Sequence, residues 1–122
     1  MLYKIVDIVP YKCVVYFTIG KPSEVEKFLV WKKCPYAHDL KLDDDKYSSL
    51  ACTFTKAGHV VIYAKEIPQN SVMVHEALHA IMYVLYRAGI ELSRDSEEAF
   101  CYHLEHLVKE YDRLPFKSKK FD

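Results

Sequence analysis

The chain has 122 residues, 51% of them hydrophobic and 28% charged, with 17 basic against 17 acidic side chains. That length and balance predict one domain with a real core and exclude a disordered tail, a collagen-like repeat and a low-complexity scaffold. Zero net charge supplies no global basic field, so no nucleic-acid partner is expected.

No membrane association is expected either. The longest apolar run, residues 80–86, falls far short of the roughly 20 residues of a membrane span. The first twelve residues are broken by Lys4, Asp7 and Pro10 and lack the apolar stretch of a signal peptide. Four cysteines without a CxxC pair fit a reduced, cytoplasmic protein.

The elements follow in chain order. Residues 2–9 form an extended piece before Pro10, and residues 11–18, rich in β-branched and aromatic side chains, read as a strand. Ser23 and Glu26 have capping-box spacing, so residues 23–33 are expected as a helix. A loop covers 34–47. Residues 48–53 and 59–65 are β-prone runs around Gly58, an antiparallel hairpin. After Pro68, Asn70 or Ser71 caps a helix running to about Ala88, with Gly89 as its C′ residue. A last helix runs from about Ser96 to Tyr111, stops before Pro115, and leaves 115–122 as a flexible polar tail behind a domain of 1–114.

The informative motif lies in the first of the two late helices: His75-Glu76-Ala77-Leu78-His79, or HExxH. Histidines four apart on a helix share one face, the spacing two imidazoles need to hold one metal ion. Glu76 lies about 100° round the helix, where it reaches a water on the metal instead of the metal itself. Zinc brings the pKa of such a water to about 7, and the glutamate takes its proton as the water attacks a carbonyl. Apolar residues flank the motif on nearly all sides, which predicts a central, buried helix. Two histidines and a glutamate there would be costly without a metal. A catalytic zinc has a third protein ligand. Glu97, Glu98, His103 and His106 on the last helix are the candidates.

HEALH followed by SEEAFCY at 96–102 resembles the gluzincin branch of the zincin metallopeptidases. In that branch the third ligand is a Glu directly before an Ala on a helix behind the active-site helix. The pattern is closer still to small single-domain zincins of phages and prophages, which read HExxHA and then E-A-x-A-Y. His75, Glu76 and His79 match position by position. Glu98-Ala99-Phe100-Cys101-Tyr102 matches the second segment with Cys for the second Ala. The resemblance covers 75–102. It implies His75, His79 and Glu98 as ligands of one Zn²⁺ and Glu76 as the catalytic base. There is no third histidine of the metzincin kind. Tyr102 stands where thermolysin-like enzymes carry an Asp. By the same resemblance, the strand at 59–65 would hold an extended peptide along a sheet edge.

Weaker features complete the reading. Tyr83, Tyr86, Tyr102 and Tyr111 are candidates to donate to a developing oxyanion. His59 reads as a turn-adjacent surface residue that could instead reach the cleft. Cys34 with His38 is a minor second metal pair, and Asp43–Asp45 a solvated run. The expectation is an α+β, minimal zincin-like domain: a small, mainly antiparallel sheet with one preceding helix and two following. Its activity would be zinc-dependent hydrolysis of a protein or peptide. The alternative is a zinc-bound interaction module without activity, whose partner is a host or viral protein. Lysines 117, 119 and 120 are the sole ground for a nucleic-acid role.

Overall fold

A computed structural model describes residues 1–35 and 51–121. The chain runs β1 (Leu2–Ile8), β2 (Cys13–Ile19), α1 (Pro22–Trp31), β3 (Cys52–Lys56), β4 (His59–Ala64), α2 (Asn70–Arg87), α3 (Glu97–Arg113) and β5 (Lys117–Ser118). The strands form one sheet in the order β3-β4-β2-β1-β5. β2 and β4 are parallel and the other neighbours antiparallel, so the fold is α+β on a mixed sheet.

Strand alternation sorts the core into two layers. Val6, Ile8, Val15, Phe17, Val60 and Ile62 point to one face and meet α2 and α3. Tyr3, Tyr16, Val61 and Tyr63 point to the other and meet Val25, Phe28 and Leu29 of α1. Val61 and Tyr63 share a face, as the alternation predicts.

Several expectations are corrected. The preceding helix does not come before the sheet: β1 and β2 come first, and α1 lies between the second and third strands. α1 starts earlier than the Ser23 cap implies. Pro22 takes the first helical position, where its fixed φ suits the helix, and the Lys21 N–H donates to the Glu24 carboxylate at 3.1 Å. The strand at 59–65 is not a sheet edge: β4 lies between β3 and β2, and β3 is the edge. Residues 36–50, with His38, Asp43–Asp45 and the start of the expected 48–53 run, lie outside the described residues.

Other expectations hold. The extended piece expected at 2–9 is borne out, as a strand paired with β2 from Leu2↔Ile19 to Ile8↔Cys13. The β3–β4 turn has Ala57 and Gly58 at φ 49° and 84°, the pair of positive values a two-residue hairpin turn requires. Gly89, at φ 81°, ends α2 as expected: its N–H donates to Tyr86 O and that of Ile90 to Leu85 O, each at 2.9 Å. No helix among the described residues is long and apolar enough to cross a membrane.

Residues 115–122, expected as a flexible tail, carry β5, which pairs with β1 through Leu2↔Ser118 and Tyr3↔Lys117. A buried lysine ties this end together. The Lys4 ammonium donates to the Tyr111 carbonyl at the end of α3 and lies 3.9 Å from the Tyr111 ring centroid and 4.2 Å from that of Phe116. Burial holds its pKa below the ordinary lysine value, against the pull of Asp112.

The core face under α2 and α3 carries most of the apolar burial. Phe17, 1% exposed, packs its ring 4.8 Å from that of Tyr111 at a tilt of 53°. Phe17→Ala should destabilise the protein by about 3–5 kcal/mol. Ile67→Ala, on a side chain 56% exposed, should stay within about 0.5 kcal/mol of the parent. Urea unfolding midpoints would show the contrast.

Candidate metal and hydrolytic site

α2 is amphipathic and not buried all round. Met73, Ala77, Ala80, Ile81, Val84 and Leu85 face the sheet and α3, while Val74, Leu78 and Tyr86 are exposed although apolar. His75 and His79 lie on this open side. Solvent reaches both histidines, so burial alone does not demand a metal there. Their geometry gives a different reason for one.

The two imidazoles converge. Nε2 of His75 and Nε2 of His79 are 3.3 Å apart, with the rings edge to face at 4.9 Å between centroids. Zinc binds imidazole nitrogen at about 2.0–2.1 Å with tetrahedral angles, which puts two ligand nitrogens about 3.3–3.4 Å apart. The pair thus has the spacing of one tetrahedral edge, and solvent reaches it.

Glu76 points elsewhere, as the 100° step requires. It is 7% exposed, and its carboxylate accepts a hydrogen bond from the Thr53 hydroxyl of β3. Thr53 pairs with Ile62 and Thr55 with Val60, both on the α2 face, so the two threonines line the same side of the edge strand. Glu76 and His79 share an open cleft of about 530 Å³ with Ala51, Thr53, Thr55, Tyr83 and Tyr86. A carboxylate, an imidazole and hydroxyls border one solvent-filled space. That set can hold a cation, take a proton and donate to an oxyanion.

The tyrosines separate by position. The Tyr83 hydroxyl accepts from the Gly58 N–H at 3.0 Å, tying α2 to the hairpin turn and leaving its own proton to donate. Tyr86 borders the cleft and rests edge-on against Phe100 at 5.9 Å. Tyr111 is in the core and Tyr102 on the outer surface. Neither lines the cleft.

The last helix contributes less than expected. Glu97 and Glu98 are both exposed in the first turn of α3. Among the described residues, no three His, Cys, Asp or Glu side chains converge as a metal-holding group, so Glu98 does not meet the His75–His79 pair in this arrangement. Ser96 precedes the helix without capping it. Its hydroxyl accepts from the Ser93 N–H at 2.8 Å and bonds back to the Glu91 carbonyl. His103 packs edge-on against Tyr11 at 5.2 Å. Burial first, and then the nearby His106, lowers its pKa. His59 faces the α1 layer, away from the cleft. It stacks on Tyr16 at 5.9 Å, lies 3.2 Å from that hydroxyl through Nδ1, and is held below the usual histidine pKa by burial.

The residue that sequence reading missed is Thr53. The signal available was the alternation Cys52-Thr53-Phe54-Thr55, which puts two hydroxyls on one face of a strand. That this face meets Glu76 is a tertiary fact. In comparisons with protein-family models, with curated proteins and with solved structures, nothing matches the chain.

The Thr53–Glu76 bond has a measurable weight. Thr53→Val keeps the shape and removes the donor, leaving a buried carboxylate short of a partner. It should lower the unfolding free energy by about 1–3 kcal/mol. Thr53→Ser, which keeps the hydroxyl, should recover most of that. Equal urea midpoints for the valine and serine variants would count against the bond.

Proposed function

We propose that the protein is a zinc-dependent metallopeptidase of gluzincin type, resembling the small zincins of phages and prophages and working in the reducing cytoplasm. The observation that carries the reading is the 3.3 Å convergence of the His75 and His79 Nε2 atoms, with His79 and the buried Glu76 bordering one cleft. An accidental HExxH gives the two histidines one helical face. It gives no reason for the adjacent carboxylate to be anchored under the cleft by a strand hydroxyl.

Each residue has a role that follows from its place. His75 and His79 would hold the metal through their converging Nε2 atoms. Bound zinc would supply Lewis acidity and a water that ionises near neutral pH. Glu76 is the general base and then the proton carrier to the leaving amine. The Thr53 hydroxyl fixes one side of its carboxylate, so its orientation is set before substrate arrives. Tyr86 and Tyr83 border the same space, and a phenol there donates to the oxygen that gains charge. Glu98 is the third ligand on the resemblance alone. Its exposure at the start of α3 leaves its carboxylate uncommitted to the core.

Hydrolysis of an unstructured protein substrate tests this, with zinc retention measured on the same samples. Glu76→Gln should keep zinc and lose about 10²–10⁴-fold in kcat, the range that a general base contributes. Glu98→Ala should lose zinc together with activity. Full zinc occupancy with no hydrolysis by the parent would favour a zinc-bound interaction module. Undiminished zinc in Glu98→Ala would move the third ligand to Glu97 or a histidine.

A further inference from the structure

The balanced net charge conceals a segregation that the fold creates. Lys27 and Lys32 lie on or just after the last turns of α1, and Lys119 and Lys120 lie far away in sequence. β5 pairs with β1, and the Lys119 N–H donates to the Met1 carbonyl at 3.1 Å. That pairing lays the C-terminal segment alongside α1. Between them runs a groove of about 430 Å³ lined by Lys27, Val30, Trp31, Lys119, Lys120 and Phe121. It lies on the α1 side of the sheet, where Trp31 packs on Tyr3 and Phe28. α2 and its histidines are on the opposite side.

The groove combines two chemistries. Trp31 is 43% exposed and meets Phe121 edge-on at 6.2 Å between centroids. The Lys32 and Lys119 ammonium groups lie 4.2 and 4.7 Å from the same indole ring. Among the described residues no carboxylate pairs with Lys32, Lys119 or Lys120. Like charges held against one ring repel one another, and an anion bound beside them relieves that repulsion.

We propose that this groove binds single-stranded nucleic acid, with backbone phosphates on Lys119 and Lys120, and on Lys32 beside the Trp31 ring, and a base against the exposed indole. Basic side chains tracking a backbone beside aromatic rings that stack bases are how proteins hold single strands without reading sequence. A duplex fits less well, because its bases are already stacked and offer no face to Trp31. An acidic peptide would satisfy the ammonium groups but leaves the paired rings without a role. The proposal stands apart from the metal site and survives its failure.

Trp31 is the one tryptophan of the chain, so its fluorescence reports on this groove directly. The intact protein is titrated with a fluorescein-labelled oligothymidylate at low salt, following indole quenching and dye anisotropy. Saturable quenching is expected, with affinity falling as salt rises by a log–log slope of about −0.7 per phosphate contacted. The double variant Lys119→Gln/Lys120→Gln should bind about tenfold more weakly, with the slope shallower by about 1.4. Lys120 is exposed, Lys119 is half-buried against the Trp31 and Phe121 rings, and the Lys119 backbone bond is retained, so an unchanged circular dichroism spectrum is required of the variant. Trp31→Phe should also weaken binding by anisotropy. Absence of binding at low salt, or equal affinity in the double variant, would overturn the proposal. So would quenching by polyglutamate as strong as by the oligonucleotide, which would assign the groove to an acidic protein partner.

Discussion

The rotation of α2 about its own axis is the constraint on which the site depends. Met73, Ala77, Ala80, Ile81 and Val84 form one stripe and are buried against the sheet and α3. With that stripe fixed, the 100° step between residues decides everything else on the helix. His75 and His79 must point outward together, and Glu76 must point down beside them toward β3. A rotation by one residue would bury both imidazoles in one direction and expose the carboxylate in the other. The Schellman turn at Gly89 and the Tyr83–Gly58 bond hold the far end of the helix in the same setting.

The second constraint is the edge strand. β4 pairs on both sides and is unavailable to anything else, whereas β3 has one partner among the described residues. Its threonines face α2, so the strand meeting the cleft is also the strand anchoring the glutamate. A buried carboxylate needs a donor close by, and Thr53 provides one from the edge strand of the described sheet. The candidate base, the two histidines and the edge strand are thereby held by two elements packed on each other.

Legibility in the sequence followed the range of the interactions. The HExxH spacing, the Gly89 stop and the hairpin turn at Gly58 are local, and each was readable because a few neighbouring residues determine it. The parallel pairing of β2 with β4 joins Val14 to His59 across α1 and the residues after it, and no local pattern announces it. The environment of α2 misled for a different reason. Residues 72–85 hold more apolar side chains than the sheet can cover, so Val74 and Leu78 remain in solvent and the helix only looks buried all round. His59 was ambiguous because strand parity was known but not which face carried which helix. Glu98 was inferred from a pattern and not from packing, and the described structure leaves it in the first exposed turn of α3.

The most direct measurement of the central claim is the zinc content of the purified protein by elemental analysis, beside His79→Ala. One zinc per chain in the parent, lost in the variant while circular dichroism shows the same fold, is the predicted result. A parent that holds no zinc after the ion is added back, or a variant that holds as much as the parent, would contradict the account.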